Sequence, residues 1–228
     1  VMATLKSLMV EISQNWPQAI EQTFAKHPLA QKLRKNFAEA VRAVLADDYG
    51  HLRVKASAGS GNWVYVPWLS ITDPDITTTA QVGFYPAYLF KADGSGVYLA
   101  LKHGSTASVA KGDKDAAMER AFAFTERLLH ELPELAQWGV KTIDLASSTR
   151  FGKLYEASNI IAKYYRSDKM PDDKVLQADL LQIADFYQQA KTFWRPQGAL
   201  VADVIDQSPP DNHQLNNISP LVALPKPF

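Results

Sequence analysis

The sequence predicts an α+β fold, a twisted and partly barrel-like antiparallel sheet flanked by helices. Three observations predict it. Residues 52–101 carry period-two alternation and two glycine-rich turns. Apolar residues recur at helical spacing both before and after that block. With 228 residues, 46% of them hydrophobic, the chain can bury one large core or two small ones.

Taken in order, Leu5, Leu8, Met9, Ile12 and Trp16 share one face of a first helix, which Pro17 stops or restarts. A second helix begins near Pro28 and aligns Leu29, Leu33, Phe37, Val41 and Leu45; His27, beside that proline, reads as a cap residue and not as a ligand. Asp47 to Gly50 ends the helical region. Leu52, Val54 and Ala56 then alternate with Arg53, Lys55 and Ser57, a strand with one buried face. Ala58-Gly59-Ser60-Gly61-Asn62 is a light tip able to take positive φ. Trp63, Tyr65 and Trp68 follow, and Pro67, which cannot donate to a ladder, predicts that their strand is an edge or bulges there.

Phe84 to Phe90 and Val97 to Leu101 flank Ala92-Asp93-Gly94-Ser95-Gly96, a hairpin signature. Lys102 to Asp115 reads as a polar loop. Asp113 or Asp115 caps a helix carrying Met118, Phe122, Leu128, Leu129 and Leu132, which Pro133 ends. Lys141 to Leu145 predicts a short strand, Ser147 to Gly152 a loop, and the run Ile160, Ile161, Tyr164, Tyr165 a helix. A final helix presents Leu176, Leu180, Ile183, Tyr187 and Trp194 on one side. From Asp206 onward prolines accumulate and periodicity fades. The expected organisation is one domain over residues 1–205 and a Pro-rich linker or tail over 206–228 leading to an effector domain.

Several function classes lose their support. Lys plus Arg and Asp plus Glu are equal at 24 each, so affinity for nucleic acid must come from local patches among Arg53, Lys55, Arg150, Lys153, Lys163, Arg166 and Lys169. Cysteine is absent, which excludes disulfides and thiolate metal sites and fits a cytoplasmic location. No apolar run approaches a membrane span, so no membrane partner is expected. A phosphate-binding Gly-x-x-x-x-Gly-Lys-[Ser/Thr] loop is missing, and His130-Glu131-Leu132-Pro133-Glu134 lacks the second histidine of a zinc helix. Pro74-Asp75 and Pro171-Asp172 are not followed by the acidic-x-lysine triplet of a restriction nuclease. Neither a metal, nor a cofactor, nor catalysis by this chain is expected. Two alternatives stay open: a hydrolase using His103 or Asp73, and a protein-interaction module whose aromatics are ordinary core.

One resemblance bears on function. Leu52-Arg53-Val54-Lys55, Gly59-Ser60-Gly61-Asn62, Val66-Pro67-Trp68 and Gly83-Phe84-Tyr85-Pro86 resemble, in order and spacing, the N-terminal DNA-recognition domain of McrB-like methylcytosine-dependent restriction proteins. The match is specific over Leu52 to Leu101 and traceable to about Tyr187. It implies double-stranded DNA carrying 5-methylcytosine or a related modified cytosine as partner, read by base flipping in phage defence. It also implies a C-terminal nuclease or motor domain in the full-length protein. Carried over motif by motif, it puts Trp68, Tyr85, Leu89 and, through Arg150-Phe151-Gly152, Phe151 at the modified-base pocket. Arg53, Lys55, Ser60, Gly61, Asn62, Arg150 and Lys153 are the expected DNA-binding residues. Where the family can carry a bulky plug for the vacated stack, this chain has Ser60; either another loop residue intercalates or water fills the gap.

Overall fold

The computed structural model describes residues 3–104 and 111–205, so the expected linker 206–228 lies outside the described residues. The chain opens with helix α1 (Leu5–Ala19), whose first turn is closed reciprocally: the Ser7 amide donates to the Thr4 hydroxyl at 3.1 Å and the Thr4 amide to Ser7 Oγ at 3.0 Å. Pro17 sits inside α1, near its end, and does not stop it. Helix α2 (Pro28–Gln31) runs through a π-helical segment, Lys32–Phe37, into α3 (Ala38–Tyr49). His27 is the N-cap, its Nδ1 accepting the Leu29 amide at 3.2 Å.

Among the described residues five antiparallel strands follow one another in a single sheet: β1 (Arg53–Ser57), β2 (Trp68–Thr72), β3 (Phe84–Phe90), β4 (Gly96–His103) and β5 (Asn159–Arg166). The sheet is open, which corrects the expectation of partial barrel closure. Its two edges are covered separately instead of meeting. Arg42 of α3 donates to the Val54 carbonyl at 2.9 Å on the β1 side, and Val140 bridges Ala162 on the β5 side. The hairpin between β3 and β4 turns through Gly94 at φ 74°, with the Ser95 amide bonded to Asp93 Oδ1 at 3.0 Å.

Period-two alternation gives the sheet two different faces. One carries Leu69, Ile71, Phe84, Tyr88, Phe90, Leu99, Leu101 and Tyr165, all buried. Phe37 packs edge-on against Tyr88 at 5.2 Å, and Tyr187 of α7 (Asp173–Ile205) against Phe84 at 5.3 Å, so the helices cover this face. The other face carries Trp68, Ser70, Tyr85, Ala87, Leu89 and Lys102, cross-strand neighbours by register.

Several local expectations give way. Pro67 immediately precedes β2, an internal strand paired on both sides. Its missing N–H falls outside the ladder, and its carbonyl accepts the Phe90 amide at 3.0 Å. Of the loop expected over 102–115, Lys102 and His103 instead extend β4, and residues 105–110 lie outside the described residues. Helix α4 (Lys111–Glu131) already includes Asp113 and Asp115, so neither is its cap. Its buried face is Phe124, Leu128 and Leu129, while Met118 and Phe122 are exposed, because Phe124 packs 4.9 Å from Phe84. Pro133 opens α5 (Pro133–Trp138). Residues 141–145 form no strand beyond the bridge at Val140. Residues read as loop begin α6 (Arg150–Ala157), capped by Thr149 Oγ1 on the Gly152 amide at 3.1 Å. Ile160 to Tyr165 forms β5 because β4 offers a ladder: Ile161 faces Leu101 and Tyr165 faces Val97, both on the helix-covered side.

Candidate nucleic-acid interface

A cleft of about 1310 Å³ opens on the sheet face opposite the one that Phe37 and α7 cover. Trp68, Tyr85, Leu89 and Phe151 all line it, together with Arg53, Lys55, Ser60, Asn62 and Arg150. Register explains the first three. Trp68 stands opposite Leu89, and Tyr85 lies four residues back along β3, so the three share one face of neighbouring strands. Phe151 arrives from α6, with Tyr155 one turn further along at 6.4 Å between ring centroids. Gly152 lets that helix close on the loop before it, since a Cβ there would meet Ser147 Cβ and Oγ at 2.6 Å. Gly61 and Lys153 are not among the lining residues: Gly61 is exposed at the apex of the tip, and Lys153 pairs with Glu156 at 3.0 Å.

The tip at one rim is held, not loose. The Val64 amide closes it on the Ala58 carbonyl at 3.1 Å, and the Arg34 guanidinium donates to the Gly59 carbonyl. Gly59 adopts φ 117°, and a Cβ there would overlap the Asn62 carbonyl oxygen. Trp63, just beyond, anchors the tip to the helices, ringed edge-on by Trp16, Phe24 and His27 at about 5 Å and donating to the Gln22 carbonyl at 2.8 Å.

Lys102 lies at the cleft floor and is 2% exposed. Its Nζ donates to Tyr85 Oη at 3.1 Å and to the His103 carbonyl at 2.7 Å, and stands 4.9 Å from the Tyr85 ring and 5.4 Å from that of Tyr155. Tyr85 spends its own hydrogen on the Ala80 carbonyl at 2.6 Å, so towards Lys102 it only accepts. Burial lowers the Lys102 pKa to about 7. Burial likewise raises Tyr85, and raises Tyr155 to about 12 against an opposing hydrogen bond with Trp68.

The charge around this cleft is one-sided. Arg34, Arg42, Arg53, Lys55, Lys102 and Arg150 line it, and among the described residues no Asp or Glu does. A chain of zero net charge thus carries a local positive field. Lys163 and Arg166, grouped with these by sequence, are elsewhere and paired, with Asp179 at 2.6 Å and Asp168 at 2.6 Å. Tyr88, among the tyrosines that follow the tip in sequence, is core, and Tyr98 packs on Tyr164 at 4.8 Å.

Neither candidate for hydrolysis is free for it. Asp73 is 1% exposed. Burial pushes its pKa up, but hydrogen bonds from Lys191 at 2.9 Å, the Asp75 amide at 2.9 Å and Gln188 at 3.2 Å outweigh that and leave it lowered. His103 is bonded to Thr125 Oγ1 at 2.7 Å, and burial, then the Lys102 charge, push its pKa down to about 4. Among the described residues no group of three His, Asp or Glu could hold a metal ion, and no helix is long and apolar enough to cross a membrane.

Sequence reasoning missed Lys102, Tyr155, Arg34, Arg42 and the Thr78 to Gln81 segment. Two had a signal. Lys102 is the charge that ends an otherwise apolar strand, Val97 to Leu101, and Tyr155 lies four residues after Phe151, one helical turn, once 150–157 is read as a helix.

Fold and cleft together define an α+β module with an aromatic floor and a cationic rim. The family model described as the MrcB-like N-terminal domain matches residues 11–192, a span containing the whole cleft, and the chain belongs to that family. No curated protein and no solved structure matches it.

Proposed function

We propose that this domain recognises double-stranded DNA carrying a modified cytosine, extruding the base from the duplex into the cleft, as the specificity module of a restriction system acting in phage defence. The carrying observation is the conjunction in one cleft of Trp68, Tyr85 and Phe151 with cationic lining side chains and, among the described residues, no carboxylate. A polyanion meets Arg53, Lys55 and Arg150 at the rim, while a flat base finds stacking partners below. The cleft exceeds the roughly 300–1,000 Å³ usual for small-molecule pockets, which suits a base still attached to its backbone.

The energetics divide accordingly. Extrusion costs a few kcal/mol, and stacking returns about 1–3 kcal/mol per base. A buried methyl adds only about 0.8 kcal/mol, so the mark is read by close apolar fit or by a polar interaction at the floor. In this reading the domain itself does no chemistry. Residues 206–228 are the tether to a C-terminal nuclease or motor domain, and the assembly works beside the DNA in the cytoplasm.

Mobility-shift titrations with otherwise identical plain and modified duplexes test this. Preferential retardation of the modified duplex at low salt is expected. Absence of binding to either duplex, or identical binding to both, overturns it.

A further inference from the structure

Resting on the reading of the cleft as a base pocket, we infer that Lys102 is the specificity-determining donor at its floor. The extruded pyrimidine it favours carries an acceptor oxygen on its 5-substituent, most strongly a carboxylate.

An ammonium has three N–H donors. Two of those on Lys102 are engaged, by Tyr85 Oη and the His103 carbonyl, and among the described residues the third has no acceptor. Tyr85 cannot swing away to leave Nζ free, because its hydroxyl is tied to the Ala80 carbonyl. Lys102 also forms no ion pair among the described residues, and burial is what lowers its pKa. A buried cation with aromatic faces on two sides, one open N–H and no compensating charge is costly as it stands, and a ligand that brings the missing acceptor recovers part of that cost.

The geometry of an extruded base decides which acceptor can arrive. The base remains attached to its sugar through N1, so it enters with the opposite edge leading, and that edge carries N3, the 4-amino group and the 5-substituent. A 4-amino group is itself a donor and gains nothing from Lys102, and N3, an acceptor common to all these cytosines, does not distinguish one from another. A 5-methyl group offers no lone pair. A 5-hydroxymethyl or 5-formyl oxygen accepts one hydrogen bond, and a 5-carboxylate adds an ion pair in a site shielded from water, where charge-assisted bonds are strongest. With its pKa near 7 the amine is divided between charged and neutral forms at neutral pH, and an arriving carboxylate draws it to the charged one, with its third N–H.

The test is fluorescence anisotropy with the 228-residue chain and four duplexes identical except at one cytosine: unmodified, 5-methyl, 5-hydroxymethyl and 5-carboxyl. The native chain is expected to bind the 5-carboxyl duplex about tenfold more tightly than the 5-methyl duplex, with 5-hydroxymethyl between them. Lys102→Met and Lys102→Gln are each expected to shrink that ratio to within about twofold, the scale below which no discriminating interaction remains. Native binding to 5-methyl as tight as to 5-carboxyl overturns the inference, and so does a ratio that survives either substitution in a chain whose circular dichroism is unchanged. If Lys102→Met fails to fold, the native ranking and Lys102→Gln still decide. Equal binding of all four duplexes removes the base-reading function itself, whereas modified duplexes preferred over plain but unranked among themselves remove only the role of Lys102.

Discussion

Tyr85 and Lys102 face each other across β3 and β4, with the lysine Nζ 3.1 Å from the phenol oxygen and 4.9 Å from the ring centre. The pair puts a cation at an aromatic floor with no carboxylate lining the cleft among the described residues, and that has consequences for stability as well as for binding.

Because burial lowers the Lys102 pKa to about 7, below its unfolded value of roughly 10.4, the unfolded chain takes up a proton that the folded chain refuses between those two pH values. The resulting penalty is fully present below about pH 7 and fades as pH rises towards the unfolded pKa. Thermal melts of the native chain and Lys102→Met are therefore expected to diverge most in favour of the variant near pH 6.5, and to converge by about pH 10. Parallel curves across that range would show that the amine is not desolvated.

Trp68 is half-buried at the cleft floor, opposite Leu89. Trp68→Ala is expected to weaken binding to a modified duplex by about 1–3 kcal/mol, the scale of base stacking on an aromatic ring, and to affect a plain duplex much less. Equal losses on both duplexes, measured by anisotropy, would remove Trp68 from the pocket.

The rim cations should behave differently. The double substitution Arg53→Ala with Lys55→Ala is expected to weaken plain and modified duplexes alike and to lower the slope of log K against log salt by about 1 for each phosphate left unneutralised. A change confined to the modified duplex would assign these side chains to base reading.

At the tip, Gly59 and Gly61 differ in what surrounds them. A Cβ at Gly59 overlaps the Asn62 carbonyl at φ 117°, while Gly61, at φ 76°, has nothing within 4 Å. Gly59→Ala is expected to cost at least about 2 kcal/mol in chemical denaturation, and Gly61→Ala about 1 kcal/mol from its backbone alone. Equal costs would show that the tip rearranges to admit the side chain.

The sequence by itself determined a good deal. The alternation around Leu52, the hairpin at Gly94, the cap at His27 and the buried stripe from Leu176 to Trp194 are local patterns whose cause lies within a few residues, and each is present in the structure. The family was legible for the same reason, in short motifs between Leu52 and Pro86. Other features were decided between segments distant in the chain. Ile160 to Tyr165 fits a helical period and a strand period equally, and only the open edge of β4 selected the strand. Pro67 reads as an edge residue until β1 and β3 are seen to pair with the residues following it. Lys102 looks like the start of a loop, and it became the floor of a cleft because the ladder puts it opposite Tyr85 while α6 brings Tyr155 over it. Burial, and with it the shifted titration of that lysine, is a property of the assembled sheet and helix: desolvation depends on everything packed around an atom, and no window of neighbouring residues contains that information.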